Sequence, residues 1–473
     1  MTKNYSSIME NDTSASSISS VPALSVFSEI GAALDEQRPL LTNSTVNSSV
    51  CSTIDSIYFE EPSATVASAA INLSNTILGT GMLAMPAALA CVGLIPGMII
   101  ILYAGLTSGL GLYFLAMCAG KVGGRNASFS SLSKLTWPKL GIFFDMAIAI
   151  KCFGVAISYL IILGDLMPQV VSSFFHHAEE VELLMDRRFW ITLSVVTAVG
   201  PLSFLRKLDS LKYTSLVALF AVAYLVVIVL YHYVSPNFPS PPPESIEYFT
   251  FSTKIFSQLP VFIFAFTCHQ NIFSVHNELQ DNSVTSIVRV IYSSIGSAAF
   301  IYEVVAVLGY LSFGKNVLGN IILMYPQSHF VAFGRLAIVV LVIFSYPLQA
   351  HPCRASIDKV IDSFLHKRRH NRQQQQLQDV LVVTNTKRHV TVTSCIILTS
   401  YLVAITISQL DLVLSFVGST GSTTISFILP GLFYIKLHSH DRWNWKRCVA
   451  LFLVVYGFMV MSVCLTFNIK RLL

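Results

Sequence analysis

The sequence predicts an all-α membrane protein with eleven transmembrane helices, and three observations predict it. Of 473 residues, 53% are hydrophobic and only 12% are charged, against about 25% charged in a soluble domain. The apolar residues gather in eleven segments, at 66–92, 94–118, 141–167, 189–205, 213–234, 255–280, 285–311, 332–350, 390–407, 411–435 and 447–467, most of them near the ~20 residues a spanning helix needs. The first and sixth segments are interrupted in mid-span by glycine or polar residues. Hydrocarbon tolerates such breaks only where protein or a cavity satisfies the freed backbone groups.

Taken in order, residues 1–62 are rich in Ser and Thr and hold no apolar run long enough for a signal peptide. They are expected to form a disordered tail. Within it, Glu36-Gln37-Arg38-Pro39-Leu40-Leu41 resembles the acidic dileucine signal that adaptor coats read, with Glu36, Leu40 and Leu41 as the sorting residues. Residues 63–467 are expected to form one eleven-helix domain, and 468–473 a short tail on the far side. The second segment carries Gly105 and Gly109 at the spacing that lets helices approach closely. If the amino terminus is cytosolic, the inside loops hold 20 of the Lys and Arg residues and the outside segments hold seven. The positive-inside rule therefore places the amino terminus in the cytosol and the carboxyl terminus in the lumen. The longest inside loop, 355–388, contains Lys367–Arg372 and Gln373–Gln376 and is expected to be disordered. Nine Cys occur without a CxxC pair, so neither a disulfide framework nor a zinc site is expected.

The first break lies in Asn72–Pro86, where Gly79-Thr80-Gly81 interrupts the run. Each glycine costs a helix about 1 kcal/mol relative to Ala. The sixth segment is broken by Thr267, Cys268, His269, Gln270 and Asn271, and burying such polar groups without partners costs roughly several kcal/mol. These are the first helices of two five-helix halves. With an odd number of spans in the first half, the second half starts on the opposite side, so the repeats are inverted and the eleventh helix is an addition. Interrupted helices at matching positions of two halves mark a secondary transporter's site.

Asn72-Leu-Ser-Asn75 with Gly79-Thr80-Gly81-Met-Leu, Phe266-Thr-Cys268-His269-Gln270-Asn271, and Ser345-Tyr346-Pro347 with Pro352 and Arg354 resemble the amino acid/auxin permease family. Within that family the likeness is to the fungal vacuolar amino acid transporters, over about 63–467. The resemblance implies the LeuT fold and proton- or sodium-coupled movement of amino acids. Amides of Gly79, Thr80 and Gly81 at the restart of helix 1 suit a substrate carboxylate. Carbonyls around Phe266, Thr267 and Cys268 suit its ammonium. Asn75, Thr76 and Gln270 complete the substrate-binding candidates.

Ionisable residues inside a membrane are functional candidates by default. His269 titrates near neutral pH and is a proton-coupling candidate, or else a neutral ring bracing the broken backbone. Glu303 is the second proton candidate, its alternative being an ion pair with a partner such as Lys151. Asp165 is read as solvated at a helix end. Sodium would need Asn75 and Ser345 between helices 1 and 8, and the sequence leaves sodium open. The cluster Gly418–Thr424 in helix 10 either lines the path or packs. No Walker-type, HExxH or GxSxG pattern occurs, so no enzyme, cofactor, metal or nucleic-acid partner is expected. The expected partners are an amino acid, the bilayer and an adaptor coat, at a vacuolar membrane. A membrane amino acid sensor signalling through the tail is the alternative function.

Overall fold

The computed structural model describes residues 64–472, apart from 124, 176, 206–211, 237, 239–240, 251 and 367–385. The tail with its dileucine pattern, and most of the basic loop, lie outside the described residues. Among those described, every named element is helical, and the extended pairing is a single parallel bridge between Ala64 and Leu279.

Helices α1 (Val66–Ile77) and α2 (Thr80–Ala90) are two pieces of the first segment, bent by 56°. The Thr65 side chain caps α1 by accepting from the Ser68 amide. Gly79 lies between the pieces at φ −129°, ψ −143°, outside the helical region. Gly93 then turns the chain at φ +88°, a conformation that favours glycine, and α3 (Leu94–Val122) follows. Next come α4 (Gly141–Phe174), α5 (Arg187–Ser194, continuing through a π-helical turn into Gly200–Ser203) and α6 (Lys212–Val234).

The sixth segment is again in pieces: α7 (Ile255–Ala265), a 3₁₀ turn at His269–Asn271 and α8 (Ile272–Glu278). Helices α9 (Val284–Phe313), α10 (His329–His366) and α11 (Thr386–Thr406) follow. Then α12 (Leu410–Val417) passes through two π-helical turns, Gly418–Ser422 and Thr424–Ile428, into α13 (Leu429–Leu437). The chain ends with α14 (Trp445–Leu472).

Eight helices among the described residues are long and apolar enough to cross a membrane, nine when α1 and α2 count as one span. The sequence anticipates eleven. The fourth and sixth segments fall short because each is a set of short helices rather than one long one. Two boundaries also differ. Helix α10 continues well into the predicted 355–388 loop, where Asp358 and Asp362 accept from Arg388 at the start of α11. Helix α14 runs through the residues read as a terminal tail.

The spans are packed in a centre and a rim. In the most apolar 18-residue stretch of each, 78% of the α4 span and 89% of the α12–α13 unit is buried, which makes them the centre. The longest packing interface joins α4 to α10, and α9 lies against α1, α2 and α3. Small residues permit these approaches: a Cβ on Gly154 of α4 would meet Val417, and one on Gly418 would lie 2.1 Å from the Pro260 carbonyl of α7. Rim helices turn apolar stripes outward, as with Ile99, Leu102 and Leu106 on α3 or Phe452, Val455 and Met459 on α14. At helical spacing, these suit contact with lipid.

Candidate functional site at the paired helix breaks

The two breaks touch each other. Tyr302 of α9 places its hydroxyl 2.6 Å from the Ile77 carbonyl, which ends α1, and 3.0 Å from the Ala265 carbonyl, which ends α7. One hydroxyl hydrogen is thus shared by two carbonyls at the negative ends of two half-helices. Gly81, in the first turn of α2, lies directly on Ala265: an added Cβ would fall 2.7 Å from the Ala265 Cβ and 2.8 Å from its Cα. Asn271 donates from Nδ2 to the Thr76 hydroxyl at 3.0 Å, and Thr76 in turn donates to the Asn72 carbonyl.

His269 is fully buried, at 0% exposure, and joins three elements. Its Nε2 lies 3.1 Å from the Ser108 carbonyl of α3, an acceptor only, so Nε2 carries the hydrogen. Its Nδ1 lies 3.1 Å from the Ser426 hydroxyl, which can donate to a neutral ring or accept from a charged one. Ser426 also meets Thr267 Oγ1 at 3.3 Å, and Ser108 Oγ donates to the Phe266 carbonyl at 2.8 Å. The ring therefore sits between α3 and the π-helical turn after α12, with both nitrogens engaged. This arrangement requires Gly111, because a Cβ there would lie 2.0 Å from the Ser426 carbonyl oxygen and 2.7 Å from His269 Nε2.

Gln can donate to Ser108 and accept from Ser426, so His269→Gln is expected to keep the folded protein and its transport pH profile. His269→Leu orphans both partners, at about 1–3 kcal/mol each. Thermal melting of the purified variants should therefore separate them. Equal melting of the two would show that the ring braces nothing.

On the other side of the first break is a cavity of about 30 Å³. Asn75, Gly79 and Thr80 line it together with Tyr159 of α4 and Ser345 of α10. That is room for about one or two waters, not for an amino acid. The Thr80 hydroxyl accepts from Ser158 at 3.4 Å.

The remaining sequence-predicted residues fall as follows. Gly81 faces α7 rather than the cavity, so a side chain there strikes the partner helix before it can obstruct a ligand. The Phe266 carbonyl is taken by Ser108, and its ring stacks edge-on to Tyr302 with centroids 5.0 Å apart. Thr267 Oγ1 donates to the Ile263 carbonyl, and the Cys268 carbonyl accepts from the Asn271 amide. Gln270 has a buried side-chain amide with no partner, and both oxygens of Glu303 are likewise buried and unpartnered.

Neither Glu303 nor Lys151 belongs to any ion pair among the described residues, so the alternative of an ion pair between them finds no support there. Asp165 is not solvated at a helix end. Helix α4 continues past it to Phe174, and it accepts from Arg187 Nε at 3.0 Å. In the Gly418–Thr424 cluster, Gly418 packs on Pro260 and Gly421 on Lys151. Tyr302, Tyr159, Ser108, Ser426 and Gly111 escaped the sequence reading. Each is an ordinary residue within an apolar run, and only the adjacency of Tyr302 to Glu303 offered a signal.

The sequence profile described as transmembrane amino acid transporter protein matches residues 62–470. The chain is 43% identical to vacuolar amino acid transporter 5 of Schizosaccharomyces pombe, over 86% of this chain and 94% of that protein. It is 39% identical to vacuolar amino acid transporter 6 of Saccharomyces cerevisiae, over 86% of this chain and 99% of that protein. A more distant relative is sodium-coupled neutral amino acid transporter 7 of Danio rerio, 27% identical over 81% of this chain and 82% of its own length. With a profile match across nearly all of the helical region and relatives aligned almost end to end, this chain belongs to the transmembrane amino acid transporter family.

Proposed function

We propose that the protein moves amino acids across the vacuolar membrane as a secondary transporter coupled to protons. The observation that carries this reading is the direct contact of two helix breaks, through Tyr302, Gly81–Ala265 and Thr76–Asn271, in a chain of this family. The vacuolar assignment follows relatives that bear that name. Counting α1–α2, α5 with its continuation, α7–α8 and α12–α13 as one span each gives eleven spans, arranged as two inverted five-span repeats of the LeuT type plus α14.

An amino acid suits the two breaks chemically. The first amides of α2 have no acceptor within their own helix and offer a place for the carboxylate. The Ile77 and Ala265 carbonyls now share one hydrogen, whereas an ammonium brings three. The small volume beside Asn75 and Ser345 supports alternating access, since helices must separate before an amino acid can fit. Glu303 is the proton site of this reading and Gln270 a substrate contact, each being buried without a protein partner. His269, with both nitrogens engaged, is the brace.

Uptake of a panel of labelled amino acids into vesicles containing the purified protein, under imposed proton or sodium gradients, tests the reading. Accumulation driven by the proton gradient alone is the expected result. Accumulation that follows sodium would move coupling to Asn75 and Ser345, and no uptake of any amino acid would refute the function. For sorting, changing Leu40 and Leu41 to Ala is expected to shift the protein from vacuole to cell surface with its melting temperature unchanged. Unaltered localisation by microscopy would reduce the dileucine pattern to coincidence.

A further inference from the structure

The half-helices on the two sides of the breaks are closed in different ways. Helix α2 meets α7 by packing, with Gly81 directly on Ala265. The ends of α1 and α8 remote from the breaks are tied by hydrogen bonds instead. The Ala64 amide donates to the Glu278 carbonyl at 3.2 Å, and the Gln280 amide donates to the Ala64 carbonyl at 3.0 Å. Ala64 immediately precedes the Thr65 cap of α1, and Glu278 is the last residue of α8.

Arg125, in the turn after α3, completes this tie. Its Nη1 donates to the Asn277 carbonyl at 3.0 Å and to the Leu279 carbonyl, and its Nη2 donates to the Gln280 carbonyl at 2.9 Å. The last carbonyls of a helix lack donors within it, and a cation there also meets the negative end of the helix dipole. Arg125 belongs to no ion pair among the described residues, so its charge is directed at this helix end. The chain beyond Arg125 follows α8 back towards the break. Ala127 exchanges two hydrogen bonds with the Asn277 side chain, at 3.3 and 3.0 Å, and the Phe129 ring lies edge-on to Phe273 with centroids 4.8 Å apart. The segment after α3 thus grips α8, and the end of α8 grips the start of α1.

The cavity beside the first break is too small for an amino acid, so half-helices must separate to admit one. Separating α2 from α7 gives up close packing. Parting α1 from α8 breaks polar bonds around a half-buried guanidinium, and water can take those bonds over. We propose that Arg125 is the latch of the α1–α8 face, a positioning residue whose bonds to Asn277, Leu279 and Gln280 hold that face shut until α1 and α8 part. In the orientation that the loop charges give, this face is cytosolic. The purpose of the latch rests on the transport reading, but its first test does not.

That test is amide hydrogen exchange of the purified full-length protein, followed by mass spectrometry of its peptides. Arg125→Gln is expected to speed exchange in α1 and α8 by about tenfold and to leave α2 and α7 at wild-type rates, as a local opening would. Lys134→Gln is the control, since it removes an exposed charge from the same loop and no hydrogen bond printed by its neighbours depends on it. If Arg125→Gln fails to fold, Arg125→Lys carries the comparison, because an ammonium keeps the charge but cannot span the three carbonyls. Wild-type exchange in α1 and α8 would overturn the proposal. So would equal acceleration of all four half-helices, or an equal effect of Lys134→Gln. In vesicles, with the amino acid that accumulates best in the uptake panel, Arg125→Gln should lower the half-saturating concentration at the Arg125 face and raise it at the opposite face. Apparent affinity follows the fraction of protein open to each side. A shift of the same sign at both faces would overturn the gating role. Faster exchange in α1 and α8 of a protein that moves no amino acid would refute the transport reading and leave the latch standing.

Discussion

Gly111→Ala is expected to cost the protein most of its folded yield. The added methyl would sit 2.0 Å from the Ser426 carbonyl oxygen, which is backbone and does not swing aside as a side chain can. Either α3 or the π-helical turn after α12 has to move. Movement of α3 stretches the bonds from Ser108 to His269 and to Phe266. Overpacking costs about 1–3 kcal/mol and each buried bond left open about 1–3 more. The sum is a large part of a typical stability of roughly 5–15 kcal/mol. Gly109→Ala, two residues away, is the control: a Cβ there meets nothing within 4 Å. It is expected to melt at or slightly above wild type, since Ala favours a helix over Gly by about 1 kcal/mol. Size-exclusion profiles and melting temperatures of the two variants decide the matter. Gly111→Ala melting with wild type would mean that α3 and the π-helical turn do not approach this closely.

Glu303→Gln is expected to cut gradient-driven accumulation sharply while exchange of substrate across the membrane continues. Both Glu303 oxygens are buried without a hydrogen-bond partner, and the residue has no ion pair among those described. Gln has nearly the shape of the protonated acid but neither gains nor loses a proton. On the proposed role, the variant is a transporter fixed in its proton-loaded form. Accumulation under an imposed proton gradient should fall on the order of tenfold or more, within the range of ordinary coupling energies. Exchange, which need not release the proton, should stay near wild type. The folded protein should be no less stable, because no hydrogen bond is lost and an uncompensated carboxylate is removed. Normal proton-driven accumulation by this variant would take the coupling role from Glu303 and leave the Asn75–Ser345 cavity as the next place to look.

The pattern of apolar runs, the two breaks and the family could all be read from the chain alone. Gly79-Thr80-Gly81 and the polar run from Thr267 to Asn271 are local signals. Glycine and unpaired polar groups disfavour continuous helix in hydrocarbon whatever surrounds them, and the helices do stop at Ile77 and Ala265. What those residues do was decided by distant parts of the chain. His269 is held by Ser108 and Ser426, each more than 150 residues away in sequence. Tyr302 joins the ends of α1 and α7, and Asp165 finds Arg187 rather than solvent. The spacing of Gly105 and Gly109 pointed to close helix contact, yet Gly111 makes the tighter approach and Gly109 faces open space. The reason is geometric. A segment's own residues set where a helix starts and stops, whereas the rotation of that helix about its axis, and its register against its neighbours, depend on how all the helices fill space together.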